Sequence, residues 1–204
     1  MKNMKNLLIL LLAALPAAAG PIGALIPTAS ELVANGGEVI VYFAGQSAGH
    51  DSVLNLIDPP GFAGNPFFHN HLTAVGTSLS LGSYAAGTIL RFRMDNLTSG
   101  FSYFTGPATG NPDGLLHVAH AGWGADATIP VNGILVGFED LFGGGDLDYD
   151  DNTFVFTNVA SSAGVPEPMS MSLVMAGLGV IVLMRTLSGV GRKATGHFRL
   201  PFTG

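Results

Sequence analysis

The 204-residue chain contains no cysteine. Disulfide staples, a catalytic thiolate and a thiolate-bound metal are therefore excluded, and packing and hydrogen bonding alone must hold the fold. Basic residues are also scarce, with eight Lys and Arg against fourteen Asp and Glu, a formal net charge of −6. Their distribution is more uneven than that total. Only Arg91 and Arg93 fall between residues 20 and 164, where thirteen of the carboxylates lie, so this stretch carries a net −11. Such a surface repels nucleic acid and anionic lipid and favours cations or neutral partners such as polysaccharide. Nucleic-acid binding is set aside on that ground. Residues 20–160 also lack a long helical period, a Gly-x-Ser-x-Gly elbow and any recognisable Ser/His/Asp grouping for nucleophilic catalysis.

What is present begins at the two ends. Lys2 and Lys5 form a basic n-region, Leu7 to Leu15 an apolar stretch, and Ala17-Ala18-Ala19 a small-residue cleavage site. Residues 1–19 are thus expected to be a signal peptide, handled by the Sec machinery and signal peptidase. Near the other end, Val165-Pro166-Glu167-Pro168 precedes sixteen uncharged residues, Met169 to Met184, and then Arg185. At about 1.5 Å per residue that run covers roughly 24 Å, and extension to Val190 with Arg185 snorkelling gives a span suited to a thin bilayer. Arg192, Lys193 and Arg199 would hold the tail on the cytoplasmic side. The expected division is a signal peptide (1–19), an exported domain (20–160), a linker with the Pro-Glu-Pro motif (161–168), a transmembrane helix (169–190) and a basic tail (191–204).

Pro166, Glu167 and Pro168, the apolar run and the basic residues from Arg185 onward together resemble the PEP-CTERM sorting signal of Gram-negative bacteria. The resemblance implies recognition by an exosortase, a membrane-embedded cysteine protease or transpeptidase. It also implies a precursor anchored in the inner membrane and delivery to the cell surface or extracellular matrix. Leu200-Pro201-Phe202-Thr203-Gly204 spells a sortase LPxTG motif as well, but a sortase site precedes its membrane helix and this one follows.

Between the ends, short β-branched and aromatic runs alternate with glycine and polar turns. Strands are expected at Gly37–Phe43, Leu72–Leu81, Gly87–Met94, Phe101–Thr105, Leu115–His120, Gly133–Phe138 and Asn152–Val159. In the third, Leu90, Phe92 and Met94 share one face and Ile89, Arg91 and Arg93 the other. The spacing predicts an all-β, antiparallel, jelly-roll-like β-sandwich.

The densest local signal is the stretch from Val136 to Phe156, where two apolar strands flank an acidic glycine loop containing Gly137-Phe138-Glu139-Asp140-Leu141 and Gly144-Gly145-Asp146-Leu147-Asp148-Tyr149-Asp150-Asp151. With Asn111-Pro112-Asp113-Gly114-Leu115-Leu116-His117 upstream, it resembles an uncharacterised extracellular bacterial domain family that carries GFEDL and GGD-x-DY-ND motifs, commonly ahead of PEP-CTERM signals. No reaction is assigned to that family, so the resemblance implies fold and location.

Six carboxylates lie within the thirteen residues from Glu139 to Asp151. In an extended segment Asp146, Asp148 and Asp150 would project to one side, with Glu139, Asp140 or Asp151 completing a Ca²⁺ shell of hard oxygens. The formal EF-hand spacing is absent, since Asp151 and Thr157 stand where Gly and Glu are needed, and one loop does not make a calcium-binding β-helix. The alternative is a solvated loop whose aspartates cap turns.

His69-Asn70-His71 would place two imidazoles on one strand face, whereas His117 and His120, three apart, would point to opposite faces of a strand; a cluster of His69, His71 and His117 would mark a metal-dependent hydrolase, but no glutamate follows the His-x-His pair, where Leu72-Thr73-Ala74-Val75 stands. Glu31, Glu38 and Glu139 are candidates for a glycosidase carboxylate pair, and Trp123 is the candidate sugar-stacking ring or, equally, a core anchor. Three functions are therefore expected in order: a non-enzymatic surface or matrix protein associated with exopolysaccharide, a Ca²⁺-dependent carbohydrate-binding module, and a secreted metal-dependent hydrolase.

Overall fold

The computed structural model describes residues 20–162. The expected signal peptide, the motif Pro166-Glu167-Pro168 and the membrane segment with Arg185 lie outside the described residues.

The described chain is all-β and antiparallel. Its strands are β1 (Pro21–Pro27), β2 (Leu32–Ala34), β3 (Gly37–Gln46), β4 (Ser52–Asp58), β5 (Ser78–Tyr84), β6 (Ile89–Asn96), β7 (Ser102–Phe104), β8 (Val118–Trp123), β9 (Gly133–Phe138), β10 (Asn152–Phe156) and β11 (Val159–Ser161), with one 3-10 turn at Ala108–Gly110. One sheet has the order β1-β8-β9-β10-β3-β5; the other runs β11-β2-β6-β4, with β7 also on β6. Successive strands from β2 to β6 alternate between the two sheets, forming a β-sandwich.

Alternation along each strand builds the core. On β6, Leu90, Phe92 and Met94 are buried while Arg91 and Arg93 stay half-exposed, the face assignment expected from the sequence. They meet Val39, Val41 and Phe43 of β3 and Phe154 and Phe156 of β10 across the sandwich, with the Phe92 and Phe156 rings 4.7 Å apart. Each such ring buried is worth about 1.5–3 kcal/mol. Leu135 and Val155 alternate with those core positions, so they lie on the other face of the first sheet, where they pack with Trp123 and Ile129. Among the described residues both clusters, with their flanking side chains, draw every member from residues 25–159, and the chain divides after Gly164, so this stretch is a compact unit with a core of its own.

The structure departs from the expected strands at several places, among them Leu115–His120, which starts three residues later and runs on to Trp123 as β8. β9 has the expected limits, but Leu72–Leu81 shortens to β5, because residues 69–77 are tied into turns by bonds such as Thr73 N–H to His69 O at 2.8 Å. Asn152–Val159 divides at Asn158, whose φ of 56° turns the chain out of β10 and into β11 of the opposite sheet. β1 and β2 were not expected. Proline at both ends of β1 suits only an edge strand, which it is, and β2 has three residues. β4 was missed because Asn55 interrupts its apolar run; that side chain is buried and donates to Asp95 Oδ2 at 2.9 Å.

Candidate metal centre

The ends of β3, β6 and β9 and the starts of β4, β7, β8 and β10 meet at one end of the sandwich: Gln46 and Phe138 both pair with Asn152, Val118 pairs with Phe138, Ser52 with Asn96 and Asp95 with Ser102. Asn96 Nδ2 joins the two sheets there by donating to Asp140 O at 2.7 Å. The acidic loop closes this end, leaving β9 at Glu139 and entering β10 at Asn152.

The loop backbone is not extended. Gly143, Gly144 and Gly145 all have positive φ, and so do Leu147 (62°) and Tyr149 (61°), left-handed conformations uncommon for such side chains. Strict alternation of Asp146, Asp148 and Asp150 onto one side therefore does not occur. The loop instead brings Glu139, Asp146 and Asp148 together, each offering a carboxylate oxygen within 4.8 Å of the others. Glu139 is fully buried at 0 % exposure, whereas Asp146 and Asp148 face solvent. Glu139 Oε1 accepts the Tyr149 N–H at 2.6 Å, a bond that the left-handed turn at Tyr149 makes available. Glu139 Oε2 is buried and has no hydrogen-bond partner. It faces Gly145, where a Cβ would stand 2.9 Å from it, so the glycine keeps the approach to that oxygen open. Burial first, then repulsion from Asp151, Asp146 and Asp148, push the Glu139 carboxyl up to about 7 against the pull of the Tyr149 N–H.

The other expected ligands are used elsewhere. Asp150 accepts the Ser47 hydroxyl, and its own N–H donates to Asp148 Oδ1 at 3.2 Å. Asp151 Oδ2 accepts the Asp140 N–H at 2.9 Å, and buried Asp140 accepts the Ser52 hydroxyl at 3.3 Å. These three pin the loop to its neighbours. Burial, followed by repulsion from Asp151, raises Asp140 to about 6.

Behind the loop lies a polar network that sequence reasoning missed. Asp113 Oδ2 accepts from His117 Nε2 and from the Gly143 N–H, both at 2.8 Å, and Oδ1 accepts the Leu115 N–H at 3.0 Å. His117 is fully buried, stacks on Tyr103 with ring centroids 3.9 Å apart, and has Nδ1 3.0 Å from Glu139 O. Both ring nitrogens therefore lie within hydrogen-bond distance of oxygen atoms. The signal was present in the Asn-x-Asp-Gly-x-x-His spacing, since His117 stands four positions after Asp113 across a turn.

The histidines do not assemble into a metal site. His71 has Nδ1 2.8 Å from Asp51 Oδ1 and Nε2 3.0 Å from Ala48 O, which occupies both nitrogens, and His69 Nε2 lies 3.9 Å from the same Asp51 oxygen. His69 and His71 sit in a turn, so the strand-face reasoning does not apply. His120 is buried against Ser161 Oγ at 2.9 Å, and burial lowers it to about 4. Among the described residues no histidine belongs to a group with metal-ligand spacing. The three candidate glycosidase carboxylates are likewise dispersed. Glu31 pairs with Arg91 Nε at 2.8 Å, while Glu38 lies at the far end of β3 from Gln46 and accepts the Ser80 hydroxyl at 2.6 Å.

Trp123 is a core anchor. Only 9 % of it is exposed, because it packs with Ile129, Leu135 and Val155 on the outer face of the first sheet, which leaves little of the ring for a sugar to stack on.

No family model, curated protein or solved structure matches the chain.

Proposed function

We propose that the chain is a non-enzymatic, exported surface or extracellular-matrix protein whose jelly-roll-like β-sandwich is closed at one end by a Ca²⁺ ion held by Glu139, Asp146 and Asp148. Export and exosortase sorting are supported by the basic and apolar N-terminal segment and by Pro166-Glu167-Pro168 ahead of the uncharged run. Association with exopolysaccharide is supported by the net charge of −11 between residues 20 and 164, which suits cation-bridged or neutral matrix polymers.

The observation that carries the Ca²⁺ reading is Glu139 Oε2, a buried carboxylate oxygen without a donor, facing two other carboxylates. A buried polar atom left unpaired costs about 1–3 kcal/mol, more when ionised. A hard divalent cation removes that cost together with the mutual repulsion, and loop carbonyls and water can complete the six to eight oxygens Ca²⁺ takes. The expected affinity is of order 10⁻⁴ to 10⁻³ M, as for extracellular modules. Isothermal titration of the isolated 20–164 segment with CaCl₂ tests it: one site in that range supports the reading, and no heat at millimolar Ca²⁺ removes it. Alanine at Pro166, Glu167 and Pro168 tests the sorting reading, since the precursor should then stay in the inner membrane of a host with an exosortase.

A further inference from the structure

The second sheet carries a cavity on its outer face. Leu90, Phe92 and Met94 turn inward from β6, so Arg91 and Arg93 turn outward, and these are the only two basic side chains among the described residues. Phe104 of β7 stands opposite Arg93 and diagonal to Arg91. Arg91 and Phe104, with Ile57 of β4 and Thr105, Pro107 and Thr109, line a cavity of about 300 Å³, at the lower end of the range for small-molecule sites. A buried carboxylate holds Arg91 in place. Its Nε donates to Glu31 Oε1 at 2.8 Å, and the Thr105 hydroxyl donates to Glu31 Oε2, also at 2.8 Å. Glu31 closes on Gly106 so tightly that a Cβ there would overlap its carboxylate. Only Nε of the Arg91 guanidinium is committed to a partner among the described residues, and the exposed Thr109 hydroxyl has none among them.

We infer that this cavity binds one pyranose unit of a neutral polysaccharide. The inference rests on the matrix reading above, to which it adds the site and the class of glycan, and it does not involve the Ca²⁺ site. Charge selects a neutral occupant. Arg91 is matched by Glu31 at 2.8 Å and Arg93 by Asp95 at 2.7 Å, so the face around the cavity is locally neutral. An anion would meet those two carboxylates in a domain of net −11, and a cation would meet two guanidiniums. Hydrogen bonding then selects a polyol. An apolar occupant would strip water from the free guanidinium N–H groups and from the Thr109 hydroxyl and return no hydrogen bond. Adjacent ring hydroxyls both donate and accept, so they match the N–H fork of a guanidinium whose plane Glu31 fixes, and the Thr109 hydroxyl beside it. The C–H face of the same ring packs on Phe104, Ile57 and Pro107. A cavity of this volume takes a single ring, and the rest of the polymer stays in solvent.

The test is saturation-transfer difference NMR on the full chain, held in a detergent without a sugar headgroup. Maltotriose, cellotriose, mannotriose and galactotriose are the neutral probes, and trigalacturonate is the acidic one. Signal is expected from at least one neutral trisaccharide, equal in Ca²⁺ and in EGTA, and absent from trigalacturonate. Phe104→Ala and Thr109→Val should each weaken the affinity by about fivefold or more. Arg91→Lys, which keeps a charge beside Glu31 but loses the fork, should do the same. Thr109 is exposed, so its variant should melt with the wild type, which separates a lost contact from a lost fold. Signal that survives undiminished in all three variants overturns the site and leaves glycan association standing. Silence from all four neutral probes overturns the inference and glycan association together, with the sorting reading untouched. Signal from trigalacturonate alone would assign an acidic polysaccharide, and signal only in Ca²⁺ would move the sugar to the carboxylate end; either overturns the inference.

Discussion

Asp113 and Glu139 are two inward-pointing carboxylates on either side of one loop, and their surroundings push them in opposite directions. Burial acts to raise both. At Asp113 it is overcome by three donors, the N–H groups of Gly143 and Leu115 and the His117 ring, which hold the carboxyl down at about 2. Glu139 has one donor, the Tyr149 N–H, and further carboxylates around it, so its carboxyl rises to about 7. Burial alone does not set the state of an acidic group; the supply of donors does. Asp113 is thereby fully supplied with donors, whereas Glu139 keeps one buried oxygen without any.

The sharpest way to break this contrast is to remove Asp113. Asp113→Ala leaves buried His117 and two backbone N–H groups without their acceptor, at an expected cost of about 3 kcal/mol in urea unfolding, the same with or without Ca²⁺. Recovery of that loss in Ca²⁺ would mean that Asp113, too, serves the metal.

Next in size is the metal itself. Ca²⁺ at a hundredfold over its dissociation constant should stabilise the segment by about 2.7 kcal/mol. Asp146→Asn or Asp148→Asn should shift the Ca²⁺ titration midpoint at least tenfold, which isothermal titration would record.

The pH dependence separates the two carboxyls by sign. Glu139 is raised from 4.5 to about 7, so its protonated folded state adds stability that is complete below 4.5 and is lost as pH rises toward 7 in metal-free buffer. Asp113 is lowered from 3.8 to about 2, so its contribution is complete above 3.8 and is lost as pH falls toward 2. Metal-free melting temperatures should therefore peak near pH 4 to 5, between these two losses, and Ca²⁺ should move the maximum above 7. A peak that Ca²⁺ leaves in place would break the assignment to Glu139.

The smallest effect is expected at Asp150, which the sequence pattern had placed among the ligands. Its carboxylate is engaged by Ser47, so Asp150→Asn should change stability by no more than about 0.5 kcal/mol and leave the Ca²⁺ midpoint unmoved. A midpoint shift as large as that of Asp146→Asn would return Asp150 to the shell.

Much of the sandwich was legible wherever a strand alternates cleanly, as in Leu90-Arg91-Phe92-Arg93-Met94, or is a continuous apolar run bounded by turns, as in Gly133–Phe138. β4 was hidden by Asn55, because a buried polar residue bonded across the sheet breaks the pattern without breaking the strand. The composition of the acidic loop pointed to cations, but its geometry was out of reach. Left-handed φ at Leu147 and Tyr149 is a tertiary outcome, fixed by the buried Tyr149 ring and the bond from its N–H to Glu139, and it replaces the alternation that extended backbone would have given. Trp123 offered a surface ring and a core anchor on equal terms, and only the fold of the segment around Ile129 decides between them.

If Glu139 completes a Ca²⁺ site, thermal unfolding of the 20–164 segment at about pH 8, with and without millimolar Ca²⁺, should separate wild type from Glu139→Gln when the two are run side by side. The wild type should gain roughly 8 °C with Ca²⁺, while Glu139→Gln should melt at or above the metal-free wild type and ignore the ion. A wild-type melting temperature indifferent to Ca²⁺, or a Glu139→Gln variant that gains as much as the wild type, would contradict the account.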